Sequence, residues 1–141
     1  MVACLTGSLG GGDGVAGTGP VHFIGVGGVG MSGLATILLQ RGVAVSGSDE
    51  AVSPVLERLE RLGAVIATGH AAANVPPGTA QVVYSSAVQP ANPEMQEAAR
   101  RGLPCCRRGE FLAQLAAQYP VVAAVGGSHG KTSTTAMIAH I

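Results

Sequence analysis

Lys131 is the only lysine in the chain, and it sits in Gly127-Ser128-His129-Gly130-Lys131-Thr132-Ser133. An ammonium after a glycine pair, with a hydroxyl next to it, suits a bound polyphosphate. Backbone N–H groups cradle the phosphates, Lys131 neutralises them, and the Thr132 hydroxyl would ligate Mg²⁺. The apolar run Val121–Val125 precedes this stretch and Ala136-Met137-Ile138-Ala139 follows it. The order is strand, glycine loop, helix, the P-loop layout. Val125 stands where the long form of the motif has glycine, which leaves the shorter Gly-x-x-Gly-Lys-Thr. The competing reading is a strand-to-helix turn that merely uses glycines.

A second glycine loop lies about one domain earlier. Gly25, Gly27 and Gly30 satisfy G-x-G-x-x-G, with Gly28 and Val29 inside the pattern. Asp49 follows about 20 residues on, where a ribose-binding carboxylate is expected. The first glycine would make the turn, the second would admit a diphosphate, and the third would let a helix pack on the sheet. A dinucleotide such as NAD and a nucleotide sugar both fit this pattern, as does a tight turn without a ligand. Three further residues fall at expected strand ends, on the edge where ligands bind in such sheets. His70 is either a loop hydrogen-bonding residue or a ligand contact. Ser85 and Ser86 are either turn residues or ligand contacts.

These loops need strands and helices to hold them. Val21–Ile24 reads as a strand, the apolar run Leu34–Gln40 as a helix, and Val43–Gly47 as a second strand ended by Asp49. Ser53-Pro54 caps a helix with Val55, Leu56, Leu59 and Leu62 on its apolar face. Ala64–Ile66 and Gln81–Tyr84 are further strands. Asn92-Pro93 opens a helix carrying Met95, Ala98 and Ala99 inward, and Leu103–Cys106 is an edge strand because of Pro104. A last helix places Phe111, Leu112, Leu115 and Ala116 on one face. Half of the cations are Arg100, Arg101, Arg107 and Arg108, either an interaction patch or, the favoured reading, solvated surface. Strands alternating with helices predict an α/β fold: a Rossmann-like parallel sheet with helices on both faces. The first strand, P-loop and partial helix of a truncated ATP-binding domain would follow it.

Composition narrows the function. The chain has 141 residues, and a hydrophobic fraction of 47% is enough for a core. Charged residues make up 11% against a usual value of about 25%, and the formal net charge is zero. There is no basic field for nucleic acid, no aromatic platform, and no apolar run near the roughly 18 residues of a membrane span. Cys4, Cys105 and Cys106 match no zinc spacing and suit a reducing cytoplasm. The expected division is a disordered glycine-rich leader at 1–19, a substrate-binding domain at 20–119, and the start of a P-loop domain at 120–141.

A nucleotide-type loop followed one domain later by a P-loop suggests an enzyme that holds a nucleotide-linked substrate beside ATP. From about residue 21 to the end the sequence resembles the Mur ligases of peptidoglycan synthesis. The resemblance rests on His22–Gly33, Ser46-Gly47-Ser48-Asp49, Gly69-His70, Ser85-Ser86-Ala87-Val88, Asn92-Pro93-Glu94, Arg107-Arg108-Gly109-Glu110 and Gly127–Thr132. The family's P-loop is the short form, which accounts for Val125. Ser128 departs from the usual Thr and Gly109 from the common Ala. The resemblance implies UDP-N-acetylmuramate bound at Gly25–Gly30, with Asp49, His70, Ser85 and Ser86 as contacts to ribose, uracil or sugar. It implies ATP and Mg²⁺ at the P-loop, and L-alanine joined to the sugar's carboxylate through an acyl phosphate. It places the alanine and adenine sites beyond Ile141, so the chain alone is expected to lack ligase activity. A murein-tripeptide ligase and an NAD-binding oxidoreductase are the alternatives.

Overall fold

The computed structural model describes residues 19–118. The glycine-rich leader and the P-loop stretch, including Gly127, Ser128, His129, Gly130, Lys131, Thr132 and Ser133, lie outside the described residues. Five short strands form one parallel sheet: β1 (Val21–Ile24), β2 (Val45–Asp49), β3 (Val65–Thr68), β4 (Gln81–Tyr84) and β5 (Cys105–Arg107). Between and after them run α1 (Val29–Gln40), α2 (Pro54–Arg61), α3 (Pro93–Arg100) and α4 (Arg108–Ala116), with a 3-10 turn at Ala72–Asn74. The strand order is β3-β2-β1-β4-β5. The chain therefore reverses direction across the sheet between β1 and β4. In an open α/β sheet that reversal opens a crevice at the carboxyl ends of the strands, where ligands bind.

Alternation along the strands sorts the core onto two faces. Val21, Phe23, Val45, Val83 and Cys106 pack with Leu34, Leu38, Leu56, Leu59, Phe111 and Leu115 from α1, α2 and α4. Phe23 and Phe111 meet edge to face, with ring centroids 5.9 Å apart. Ile24, Val82 and Cys105 pack on the opposite face with Met95 and Ala98 of α3. The helices cover both faces, as the alternating pattern predicts.

Several boundaries differ from the sequence expectation. The helix after the glycine loop begins at Val29 rather than Leu34, so Gly30 and Gly33 are helical. Their low propensity makes the first turns read as loop. The strand after it is Val45–Asp49 rather than Val43–Gly47, because Ser46 and Ser48 are buried strand residues. The third strand runs two residues further, to Thr68, and the fifth starts at Cys105. Leu62 and Leu112 are exposed, and Ala99 faces outward where inward packing was expected.

Candidate nucleotide-binding site

The carboxyl ends of β1, β2 and β4 are level, since Ile24 pairs with both Ser48 and Tyr84. The glycine loop leaves β1 there and is tied back at once. The amides of Gly25 and Val26 both donate to the Ser48 carbonyl, at 2.9 and 3.0 Å. Asp49, at the tip of β2, reaches across: the Gly27 amide donates to its Oδ2 at 2.8 Å, and the Glu50 amide donates to Oδ1 at 2.8 Å. A Cβ on Gly27 would sit 2.7 Å from Asp49 Oδ2. Residue 27 must be glycine for this clasp to close. From β4, the Ser85 amide donates to the Ile24 carbonyl at 3.2 Å, and its hydroxyl lies against Gly25.

Gly28 caps α1 with no side-chain hydrogen bond, and the first turn of α1 contains no acid. Its free N–H groups and positive dipole end suit an anion. Val29 on that turn is 90% exposed. Arg108, the first residue of α4, lies over the turn: a Cβ on Gly30 would meet its Nη1 at 2.5 Å and its Cδ at 2.9 Å. The Arg108 guanidinium takes part in no hydrogen bond or ion pair among the described residues, and it sits beside helix amides that favour negative charge. The sequence favours solvated surface over an interaction patch for it. The signal that could have found it is the Arg107-Arg108 pair directly after an expected strand.

His70 follows β3, and its hydrogen bonds run to Ser48 and Glu94. It joins a buried network below the sheet edge, on the α3 face. Its Nδ1 lies 2.7 Å from Glu94 Oε2, to which the Ser48 hydroxyl also donates at 2.6 Å. The other oxygen, Oε1, is 3.2 Å from His22 Nε2, and His22 Nδ1 is 2.8 Å from the Ser46 hydroxyl. His22 and Glu94 are completely buried. Burial pushes the Glu94 carboxyl up. The hydrogen bonds from His22, Ser48 and His70, with the charge of His22, outweigh it and hold the group below its ordinary range. Nothing in the sequence marks Glu94 as buried, because an acid in the first turn of a helix is ordinary capping chemistry.

The structure therefore brings Gly25, Gly27, Gly28, Val29, Gly30, Asp49 and Ser85 together and adds Arg108. His70 stands one strand further out, linked through Ser48. Ser86 is exposed beyond Ser85 and makes no polar side-chain contact among the described residues.

A doubly wound parallel sheet with a glycine loop and an open helix N-terminus at its reversal point defines a Rossmann-like α/β domain. The model of the Mur ligase family, catalytic domain, matches residues 20–120. The chain belongs to the Mur ligase family. It is 56% identical over 124 residues to the UDP-N-acetylmuramate–L-alanine ligase of Phenylobacterium zucineum, covering 87% of this chain and 25% of that protein. It thus spans about a quarter of the length of the curated relatives it matches. Among solved structures, a UDP-N-acetylmuramate–alanine ligase, MurC, from Thermotoga maritima superposes with a TM-score of 0.80 at 34% identity, over 86% of this chain and 28% of the other. The UDP-N-acetylmuramate:L-alanyl-gamma-D-glutamyl-meso-diaminopimelate ligase of Neisseria meningitides gives 0.77 at 31%, over 86% and 38%.

Proposed function

We infer that residues 20–119 form the UDP-binding domain of an ATP-dependent ligase that joins L-alanine to UDP-N-acetylmuramate, a step toward peptidoglycan precursors. The observation that carries this reading is the Gly25–Gly30 loop at the sheet reversal, with the guanidinium of Arg108, unpaired among the described residues, over its helix turn. A diphosphate needs donors and positive charge at one place, and this loop supplies both. The names of the L-alanine and tripeptide ligases among the relatives both contain UDP-N-acetylmuramate. That shared substrate is the one a common first domain should hold. The L-alanine branch is favoured by the identity to the Phenylobacterium enzyme.

In this reading the amides of the loop and Arg108 hold the diphosphate. Asp49 is already clasped to Gly27, so it stiffens the loop and leaves its remaining lone pairs for a ribose hydroxyl. Ser85, Ser86 and His70 contact the uridine or sugar. Residues 120–141 begin the ATP-binding domain, where the motif assigns Gly127–Ser133 to ATP, Lys131 to charge stabilisation of phosphoryl transfer, and Thr132 to Mg²⁺. The muramoyl carboxylate would take the terminal phosphoryl group as an acyl phosphate, and the amine of L-alanine would displace phosphate to form the amide. Calorimetric titration with UDP-N-acetylmuramate, with NAD as the control, tests the reading. Heat with the UDP-sugar alone is expected. Heat with NAD alone would return the loop to a dinucleotide and overturn it.

A further inference from the structure

The network below the sheet edge fixes more than the position of His70. An ionised carboxylate only accepts hydrogen bonds. The nitrogens facing Glu94 must therefore donate: His22 through Nε2–H to Oε1, and His70 through Nδ1–H to Oε2. Ser48 fills the rest of Oε2 with its own hydroxyl. The two imidazoles meet one carboxylate with opposite nitrogens, so when neutral they are opposite tautomers. His22 completes its set through Ser46. The Ser48 oxygen, 3.2 Å from His70 Nδ1, can share that N–H because its own hydrogen goes to Glu94. His70 has its Nε2 left over, with no partner among the described residues, on a ring that is 18% exposed. Neutral imidazole with hydrogen on Nδ1 carries a lone pair on Nε2.

We propose that Glu94 is a positioning residue that locks His70 in the Nδ1–H tautomer, so that Nε2 stands at the carboxyl edge of the sheet as an acceptor for an O–H or N–H donor of the ligand. This rests on the nucleotide-sugar reading above for the ligand and on the network alone for the lock. The uridine part of such a ligand offers three donors of this kind, the 2′- and 3′-hydroxyls of ribose and the imide N–H of uracil. An acceptor there would discriminate against a ligand that presents only acceptors, because two facing acceptors leave each other unpaired.

Nitrogen-15 NMR of the histidine-labelled chain at about pH 8, where unperturbed imidazoles are neutral, reads both rings directly. The expected result is a pyrrole-type Nδ1 and pyridine-type Nε2 at His70, with the reverse at His22. A His70 that carries its proton on Nε2 would overturn the lock. Glu94→Gln tests the cause. It offers one oxygen and one NH₂ group where two oxygens stood, so one of the two histidines must exchange tautomers; a spectrum with both unchanged would count against Glu94 as the determinant. His70→Asn keeps a donor toward Glu94 but has no acceptor at the Nε2 position. It should bind UDP-N-acetylmuramate about tenfold more weakly, the loss of one hydrogen bond at the upper end of its range. Undiminished binding would sink the acceptor role. With 2′-deoxy, 3′-deoxy and N3-methyl analogues, one should lose affinity in the wild-type chain but not in His70→Asn and so identify the donor; no such loss contradicts the proposal. If the wild-type chain shows the predicted tautomers yet takes no UDP-sugar, the nucleotide-sugar reading and the ligand half of this proposal fall, while the lock stands.

Discussion

Gly27 and Arg108 do opposite work at the same loop. Gly27 contributes by having no side chain, since Asp49 occupies the space where one would go. Gly27→Ala should break the clasp, destabilise the fold by about 1–3 kcal/mol, and abolish binding of UDP-N-acetylmuramate; thermal unfolding and titration calorimetry read the two effects. Arg108 contributes only charge and length. Arg108→Ala should leave the melting temperature within about 2–4 °C, as for other exposed substitutions of about ±0.5 kcal/mol, and weaken the UDP-sugar roughly tenfold, the cost of a charge-assisted contact. A drop in melting temperature without loss of affinity would make Arg108 a packing residue instead. Glu94 gives a pH signature. Its folded pKa lies below the ordinary value of 4.5, so the unfolded chain binds the proton more tightly. The stabilisation is fully present above 4.5 and is lost as pH falls through the folded value. The melting temperature should decline below about pH 4.5, and that slope should flatten in Glu94→Gln; equal slopes would place acid sensitivity elsewhere.

The elements around the site are held by caps and by one arginine. Asn92 accepts from the Glu94 amide and starts α3 at Pro93, which fixes where the Glu94 side chain enters. Arg101 at the other end of α3 donates to the carbonyls of Pro76 and Val75 and pairs with Glu97. Arg100, then Arg101, hold the Glu97 carboxyl down to about 2. Arg101→Ala should cost more stability than Arg100→Ala, because only Arg101 also satisfies two loop carbonyls; chemical denaturation of the two variants checks the order. At this scale the sequence was informative where the pattern is local. Pro54 and Pro93 mark helix starts, and the apolar run Gln81–Tyr84 is a strand at the expected bounds. It misled where tertiary structure overrides local preference. Gly30 and Gly33 look like loop but are helical, and at Gly30 a side chain would run into Arg108 of α4, a tertiary contact that no local pattern shows. Ser48 looks like a residue beyond the second strand but belongs to it, because its hydroxyl serves Glu94. The network itself joins residues 22, 46, 48, 70 and 94, and no local pattern connects them.

For the molecule as a whole, topology explains why the loop, Asp49, Ser85 and Arg108 converge although they come from four separate stretches. The reversal between β1 and β4 leaves the carboxyl edge open there, and α4 returns to the face of α1, which brings Arg108 to the α1 N-terminus. Among the described residues no helix is long and apolar enough to cross a membrane. In the function proposed above, this convergence holds the diphosphate of a UDP-sugar. Amide NMR during titration with UDP-N-acetylmuramate is the decisive test. Saturable shifts are expected at Gly25, Gly27, Gly30 and the Arg108 side-chain N–H, with His70 moving in parallel. Saturable shifts elsewhere on the sheet, with these residues still, would contradict it.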